Sequence, residues 1–409
     1  MPSAPTRESA GHRTPSFPPA HAHAPAVSWP EARRIARAAG LPSEPVELPL
    51  ARTAGATLAA DLRALSPLPA QDVSAMDGYA VAGPGPWTVR GQILAGANGP
   101  PPPLRAGEAY EIATGAPVPP TAGAVLTYET ATVHGGTVYG SVAAGRHIRA
   151  RGEDCPAGRQ LLPAGAPVTP AMIGLAASTG HDTLLVRRPP TVSALLTGTE
   201  LTGSGLPTPG LVRDAIGPML PGLVHGLGGR LLGAEVLADD RRTLAEALRH
   251  PAADVLLVCG ATSVGAADHL RAVLAELGAE VLVAGVLCRP GHPQLLASLP
   301  DGRCLVGLPG NPYAAVAAAL TLLGPLLERL SGRTPAPPRT VRLAGVTPHP
   351  RDTRLVPVRL AGPAAEPVGH DRPGMLLGAA LADALAVIPP AGRAVEASAE
   401  AEVRDVRVL

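Results

Sequence analysis

The sequence contains no lysine: all 34 of its basic side chains are arginine. Against 33 carboxylates this leaves a net charge of +1, which excludes a global electrostatic grip on nucleic acid or on an anionic membrane. Any anion must be held locally. Aromatic residues make up only 2% of the chain, so its cores have to be built from Ala, Leu and Val. The four cysteines, Cys155, Cys259, Cys288 and Cys304, show no CxxC spacing, which argues against a disulfide framework or a zinc site. Cys259 and Cys304 fall in apolar runs, where a free thiol acts as a small hydrophobe. No uninterrupted apolar run reaches the roughly 18–20 residues of a membrane span. The N-terminus has Pro, His and Ser where a signal peptide needs an apolar stretch, so a cytoplasmic protein is expected. Neither GxxxxGK[ST] nor GxGxxG occurs, which excludes a P-loop nucleotide site and gives a dinucleotide-binding fold no support.

What is present divides the 409 residues into a few blocks, within the roughly two to four domains such a length allows. Residues 1–27, rich in Pro, Ala, Ser and His, read as a disordered tail, with His21 and His23 solvated rather than metal-bound. Ser28-Trp29-Pro30-Glu31 forms a capping box that opens a helix ending at Gly40. Short Val/Leu/Thr pieces divided by Gly and Pro imply a β-rich domain over 46–145. Thr169, Pro170 and Gly180 bracket another helix. If it packs on the Ser28 helix, the β-rich part is an insertion in a helical linker domain made of 28–45 and 146–185. Residues 186–333 alternate apolar strands with helices, as a mostly parallel sheet covered on both faces does. Expected strands are TVSALLT, RLLGAEVL, DVLLVCG, EVLVAGVL and CLVGL, with helices near 213–226, over 241–249, from Ala267 to Leu277 and from Tyr313 toward Arg329. The proline-rich TPAPPRT leads into a small β domain over 336–409.

The polar residues directly behind three of these strands carry the most information. TVSALLT runs into Gly198-Thr199-Glu200, DVLLVCG into ATSVGAAD ending at Asp268, and CLVGL into Pro309-Gly310-Asn311-Pro312. All three are strand-to-helix exits, which share the carboxyl edge of the sheet, where open α/β folds bind ligands. Backbone N–H groups there suit phosphate or another oxyanion, and the first turn of the helix after Asn311 is a ready anion site. Glu200 and Asp268 can hold Mg²⁺ beside a bound phosphate; capping its own helix is the simpler reading of Asp268. A second polar cluster comprises SAMDGYAV, with Asp77, and ATGAPVPP, with Thr114, either of which hairpin chemistry alone also explains.

From residue 28 onward, SAMDGYAV, TGAPVP, RARGEDCPAGRQLLPAG, TGTEL, SVGAAD, RPGHP and GLPGNP stand in an order and spacing that resemble the molybdopterin molybdenumtransferase family, which includes bacterial MoeA and the E domain of gephyrin. The resemblance implies a multidomain α/β plus β fold: a helical domain interrupted by a β-rich one, an α/β molybdopterin-binding domain and a small C-terminal β-barrel. It implies insertion of molybdenum from molybdate into adenylated molybdopterin with release of AMP and a requirement for Mg²⁺. It also implies a homodimer in which Asp77 and Thr114 of one subunit face the α/β site of the other, with no nucleic-acid or membrane partner. Carried over by position, Asp77, Thr114, Glu200, Asp268 and Arg289 are catalytic. Gly198, Ser263, Gly265, Pro309, Gly310, Asn311 and Pro312 bind the pterin, and Asp77, Glu200, Asp268 and Asp154 are metal candidates. The pair Asp239 and Asp240 has a family counterpart as well.

The departures are specific. Thr199 replaces a carboxylate beside Glu200, and Ala261 replaces a glycine. Arg289 and His292 stand where the family KPGKP pattern has lysines, Gly285 where a basic residue is expected, Asp214-Ala215-Ile216 in a DSN-like stretch, and Pro373 at a serine position. They leave two other readings open, a molybdopterin-binding paralogue without turnover and an α/β protein for another phosphorylated ligand. AMP release and pterin binding separate the three.

Overall fold

The computed structural model describes residues 25–96, 99, 101–249, 253–260, 266–343, 345–391 and 400–405. The helix Trp29–Ala38 starts where Ser28 accepts the Glu31 N–H, with a proline in its first turn. Trp29, Ala32, Arg33 and Ala36 form its buried stripe. That stripe lies on the helix Pro312–Leu330, whereas the interrupted helical domain required it to lie on the 169–180 helix. Trp29 Nε1 donates to Thr321 Oγ1 at 3.0 Å, and Arg33, stacked over the Trp29 ring, donates to the Leu320 carbonyl. These contacts fall where the long helix widens into a π-type segment, Ala319–Leu323. Such a segment loosens the regular ladder, so a carbonyl can accept from outside the helix. The helix Pro170–Ser178, capped by Thr169, instead sends Met172 and Ala176 into a separate core with Leu48, Leu58, Leu184 and Val186.

Between these helices lies a six-stranded sheet running Thr132–His134, Thr137–Tyr139, Trp87–Ile93, Glu108–Ile112, Gly78–Ala82, Ala124–Thr127. Gly78 pairs with Ile112, which brings Asp77 and Thr114 to one end of the sheet. Only glycine fits at 78, because a Cβ there would sit 2.1 Å from the Leu126 carbonyl oxygen.

The central sheet has the order Arg230–Leu237, Thr191–Thr197, Val255–Cys259, Cys304–Leu308, Leu295–Ser298, Glu280–Val283. The first four strands are parallel; Leu295–Ser298 runs antiparallel to them, and Glu280–Val283 pairs antiparallel with Leu295–Ser298. Val255–Cys259 and Cys304–Leu308 are buried throughout, as strands covered on both faces must be. The helix Pro312–Leu330 is long and apolar enough to cross a membrane, but 89% of its apolar stretch is buried in the protein, which makes it the core helix of this layer. The expected helix near 213–226 begins only at Leu220, because Val212–Arg213 pairs with Leu201–Thr202 and a 3₁₀ turn comes next.

EVLVAGVL does not form one strand. Glu280–Val283 stays in the central sheet, whereas Val286–Arg289 leaves it and pairs with Val27 on one side and Thr353 on the other. It thereby joins the C-terminal sheet, in which Thr353–Ala361 bonds to both Ala364–Pro367 and Ala384–Ile388. The Leu295–Ser298 strand that fills its place was not expected from the sequence.

Candidate active site

The three strand exits meet. Thr197 Oγ1 donates to the Cys259 carbonyl at 3.1 Å, and the Gly260 N–H donates to the Leu308 carbonyl at 3.1 Å. Gly260 has φ +100°, and a Cβ there would lie 2.4 Å from the Thr197 carbonyl oxygen, so this close approach requires glycine. Gly310 in turn stands against Gly260, its Cβ position 3.5 Å from the Gly260 Cα. Thr197, Gly260 and Gly310 thus form one continuous row along the carboxyl edge. At its near end the exposed Glu200 carboxylate folds over Gly198, whose Cβ position is 2.9 Å from Glu200 Oε2. Thr199 beside it is exposed. Asp214 closes the same end, where Oδ1 accepts the N–H groups of Ile216 and Gly217 at 2.9 and 3.0 Å. Burial, and then the Asp214 charge, push the Cys259 thiol beneath this edge up to about 12, so it stays protonated and inert. Ala261, Ser263 and Gly265 lie outside the described residues. Asp268 falls within the helix Ala266–Glu276, its side chain likewise outside them.

The helix after Asn311 is not the open anion site that its sequence promised. Tyr313 and Ala314 donate their N–H groups to the Pro373 carbonyl at 2.9 and 3.2 Å, and the Asn311 side chain makes no capping bond. A loop of the C-terminal sheet therefore satisfies the first turn. Tyr313, fully buried, adds an O–H bond of 2.7 Å to the Leu355 carbonyl of that sheet. Pro309 and Asn311 open instead onto a groove of about 1860 Å³ between the central layer and the C-terminal sheet.

This groove is lined by arginine. Arg289 enters from the Val286–Arg289 strand and gives its Nε–H to Asp352 Oδ2 at 2.7 Å. Arg351 and Arg372 line it too, exposed, and among the described residues their guanidinium groups make no hydrogen bond or ion pair. Each arginine comes two residues after a histidine in a similar turn: His349 Nδ1 accepts the Arg351 N–H at 3.3 Å, and His370 Nδ1 accepts the Arg372 N–H at 3.4 Å. Arg354 is held by Asp371 at 2.6 Å. His292 is exposed, its carbonyl accepting the Val286 and Gln294 N–H groups, and the Gly285 carbonyl accepts the Val27 N–H. The groove thus carries uncompensated positive charge in a chain whose overall charge is nearly neutral. Sequence reasoning named Arg289 and missed Arg351, Arg372 and Asp352; the paired His-x-Arg tripeptides were the one signal available.

The relatives decide what this site belongs to. Residues 27–180 match the MoeA N-terminal region (domain I and II), 193–329 a probable molybdopterin binding domain, and 340–406 the MoeA C-terminal region (domain IV). A molybdopterin molybdenumtransferase of Synechococcus elongatus is 34% identical over 314 residues, 72% of this chain and 77% of that protein. The chain belongs to the molybdopterin molybdenumtransferase family. Another member, molybdopterin molybdenumtransferase 2 of Mycobacterium tuberculosis, is 32% identical over 332 residues, 74% of this chain and 79% of that one. The crystal structure of a molybdopterin biosynthesis MoeA protein from Pyrococcus horikosii superposes with TM-score 0.74 at 27% identity, over 94% of this chain and all (100%) of that one.

Of the other positions inferred from the family, Asp239 and Asp240 follow Leu237, which pairs with Thr197, and so stand at this same edge, whereas Asp77, Thr114 and Asp154 belong to other sheets and loops. Asp77 and Thr114, both exposed, are bonded to each other: the Thr114 N–H donates to Asp77 Oδ1 at 2.7 Å. Near them Tyr128 O–H donates to Glu111 at 2.7 Å; that bond, with burial and the nearby carboxylates, raises the phenol far above its ordinary range. Asp154 is paired with Arg149. Asp240 caps the helix Arg241–Arg249 by accepting the Thr243 N–H at 2.9 Å; the Thr243 hydroxyl first, and then this N–H, hold its carboxyl below the usual range. Among the described residues no group of three or more His, Cys, Asp or Glu side chains gathers as a metal site. Within one chain the structure brings together Gly198, Glu200, Gly260, Pro309, Gly310 and Asn311. It does not join Asp154 to them.

Proposed function

We infer that this chain catalyses the molybdenum-insertion step of molybdenum cofactor biosynthesis: it takes molybdate and adenylated molybdopterin and releases AMP. The observation that carries the reading is the contact row Thr197–Gly260–Gly310, which gathers three family motifs at one sheet edge beside a groove lined by arginines. Two anionic substrates need cations and N–H donors held in place before the reaction, because such groups need no reorganisation as charge moves. Arg351 and Arg372 supply positive charge along the groove, and Arg289, tied to Asp352, a fixed one. In this reading Gly198 and Asn311 contact the pterin, and the groove admits molybdate. Glu200 is the carboxylate for Mg²⁺. One exposed carboxylate plus substrate phosphates is a common way to hold that ion, so the residues present fit it. When bound, Mg²⁺ neutralises phosphate charge.

The wider arrangement belongs to the same proposal. The chain comprises a helical and a β-rich part, an α/β molybdopterin-binding domain and a C-terminal β-barrel, works in the cytoplasm and pairs as a homodimer. Asp77 and Thr114, which stand at the end of a different sheet from the one that leads into Glu200, serve the site of a second copy. The test mixes purified protein with adenylated molybdopterin, molybdate and Mg²⁺ and follows AMP. Release that stops on chelation and falls in Glu200→Gln is expected. Tight pterin binding without AMP release would assign the chain to a non-catalytic role instead.

A further inference from the structure

Arg289 stands where the family pattern has lysine, and the structure gives that replacement a partner. Its guanidinium is held at one point only: Nε donates to Asp352 Oδ2 at 2.7 Å, and among the described residues neither Nη nitrogen makes a hydrogen bond. The two side chains differ in exposure, 60% for Arg289 against 13% for Asp352. The carboxylate is therefore a fixed post in the wall, and the guanidinium reaches from it into the groove. Several contacts fix the post. Asp352 directly precedes the Thr353–Ala361 strand, which pairs with the strand carrying Arg289 through Cys288–Thr353 and Arg289–Arg354. The Asp352 N–H donates to His349 Nδ1 at 3.0 Å. Because that nitrogen accepts, its approach of 3.3 Å to Asp352 Oδ2 is not a donated bond. The neighbouring cation Arg354 is committed to Asp371 and the Thr347 carbonyl, so it does not compete for Asp352.

We propose that Asp352 is a positioning residue for the molybdenum-insertion site: it captures Arg289 by Nε and so aims both Nη groups at the anionic substrates. Lysine cannot be held this way. It has one charged terminus, which either pairs with Asp352 or faces the ligand, whereas a guanidinium does both at once. Arg289 and Asp352 are thus a matched pair, and restoring lysine at 289 lowers performance instead of repairing it. The inference rests on the proposed function and deepens it.

The experiment is a double-mutant cycle on the full chain with Arg289→Ala, Asp352→Ala and both together, plus Asp352→Asn and Arg289→Lys. It is read as KM and kcat for AMP release with each substrate titrated, and as the calorimetric Kd of adenylated molybdopterin. Melting temperatures check that each variant folds. Asp352→Ala should raise KM or Kd about tenfold with kcat changed far less, since a misaimed binding group costs affinity first. Asp352→Asn, whose amide oxygen still accepts from Nε, should recover most of the loss. In the Arg289→Ala background, Asp352→Ala should have no further effect, and Arg289→Lys should resemble Arg289→Ala. The proposal is overturned if Asp352→Ala behaves as wild type, if its cost is the same with and without Arg289, or if Arg289→Lys improves turnover. A wild type that binds the pterin without releasing AMP would refute the proposed activity, while the cycle in Kd still decides this pairing. A wild type that does neither refutes both.

Discussion

The carboxyl edge of the central sheet and the groove beside it adjoin but are made of different material. The edge is backbone: three strand ends touch through glycines, and its shape depends on what is absent at Cβ. The groove is side chain: arginines from segments far apart in the chain converge on open space. A backbone site tolerates almost no substitution, because strain has nowhere to go. A side-chain site can lose a group and keep its fold, so its changes appear in binding.

That contrast can be broken first at Gly260. Gly260→Ala places a methyl group against the Thr197 carbonyl at a positive φ, and we expect a loss of about 3 kcal/mol or more in chemical denaturation, with activity lost as well. A near-neutral result would mean that the row is not close-packed. The groove should respond in the opposite way. Arg351→Ala with Arg372→Ala removes two charged donors and should raise KM for an anionic substrate about 100-fold, while stability stays within about 0.5 kcal/mol. A double variant that kept wild-type KM would remove these arginines from the site.

The seam between the two regions is tested by Tyr313→Phe, which deletes the buried bond to the Leu355 carbonyl and should cost about 1–2 kcal/mol. Smallest is a pH effect from the interior. Burial raises the Cys259 and Cys288 thiols to about 12 and Cys304 to about 11, from an ordinary 9.0. Above pH 9 the unfolded chain loses these protons while the folded chain keeps them, so stability should fall progressively from about pH 9 toward 11–12. A melting temperature flat over that range would mean that these thiols are not sealed.

The same contrast explains what the sequence disclosed. The apolar runs 191–197, 255–259 and 304–308 announce themselves as buried strands, and a glycine directly behind a strand marks a close turn, so the edge was legible. The caps at Ser28 and Thr169 were too, because a cap is local chemistry. The groove was not. Arg289 and Asp352 are 63 positions apart, and nothing local says that Val286–Arg289 will leave the central sheet to pair with Thr353. Nor can local pattern reveal that the Pro373 carbonyl occupies the first turn of the Pro312 helix. The Leu295–Ser298 strand was hidden by its shortness and by the prolines at 290 and 293 just before it.

The most direct test is a crystal structure of the full chain with adenylated molybdopterin bound. The account requires the pterin conjugate along the Gly198–Gly260–Gly310 edge, with Glu200 and Asn311 beside it and its charge facing Arg289. Density for the compound anywhere else, with that edge and the arginine groove empty, would contradict it.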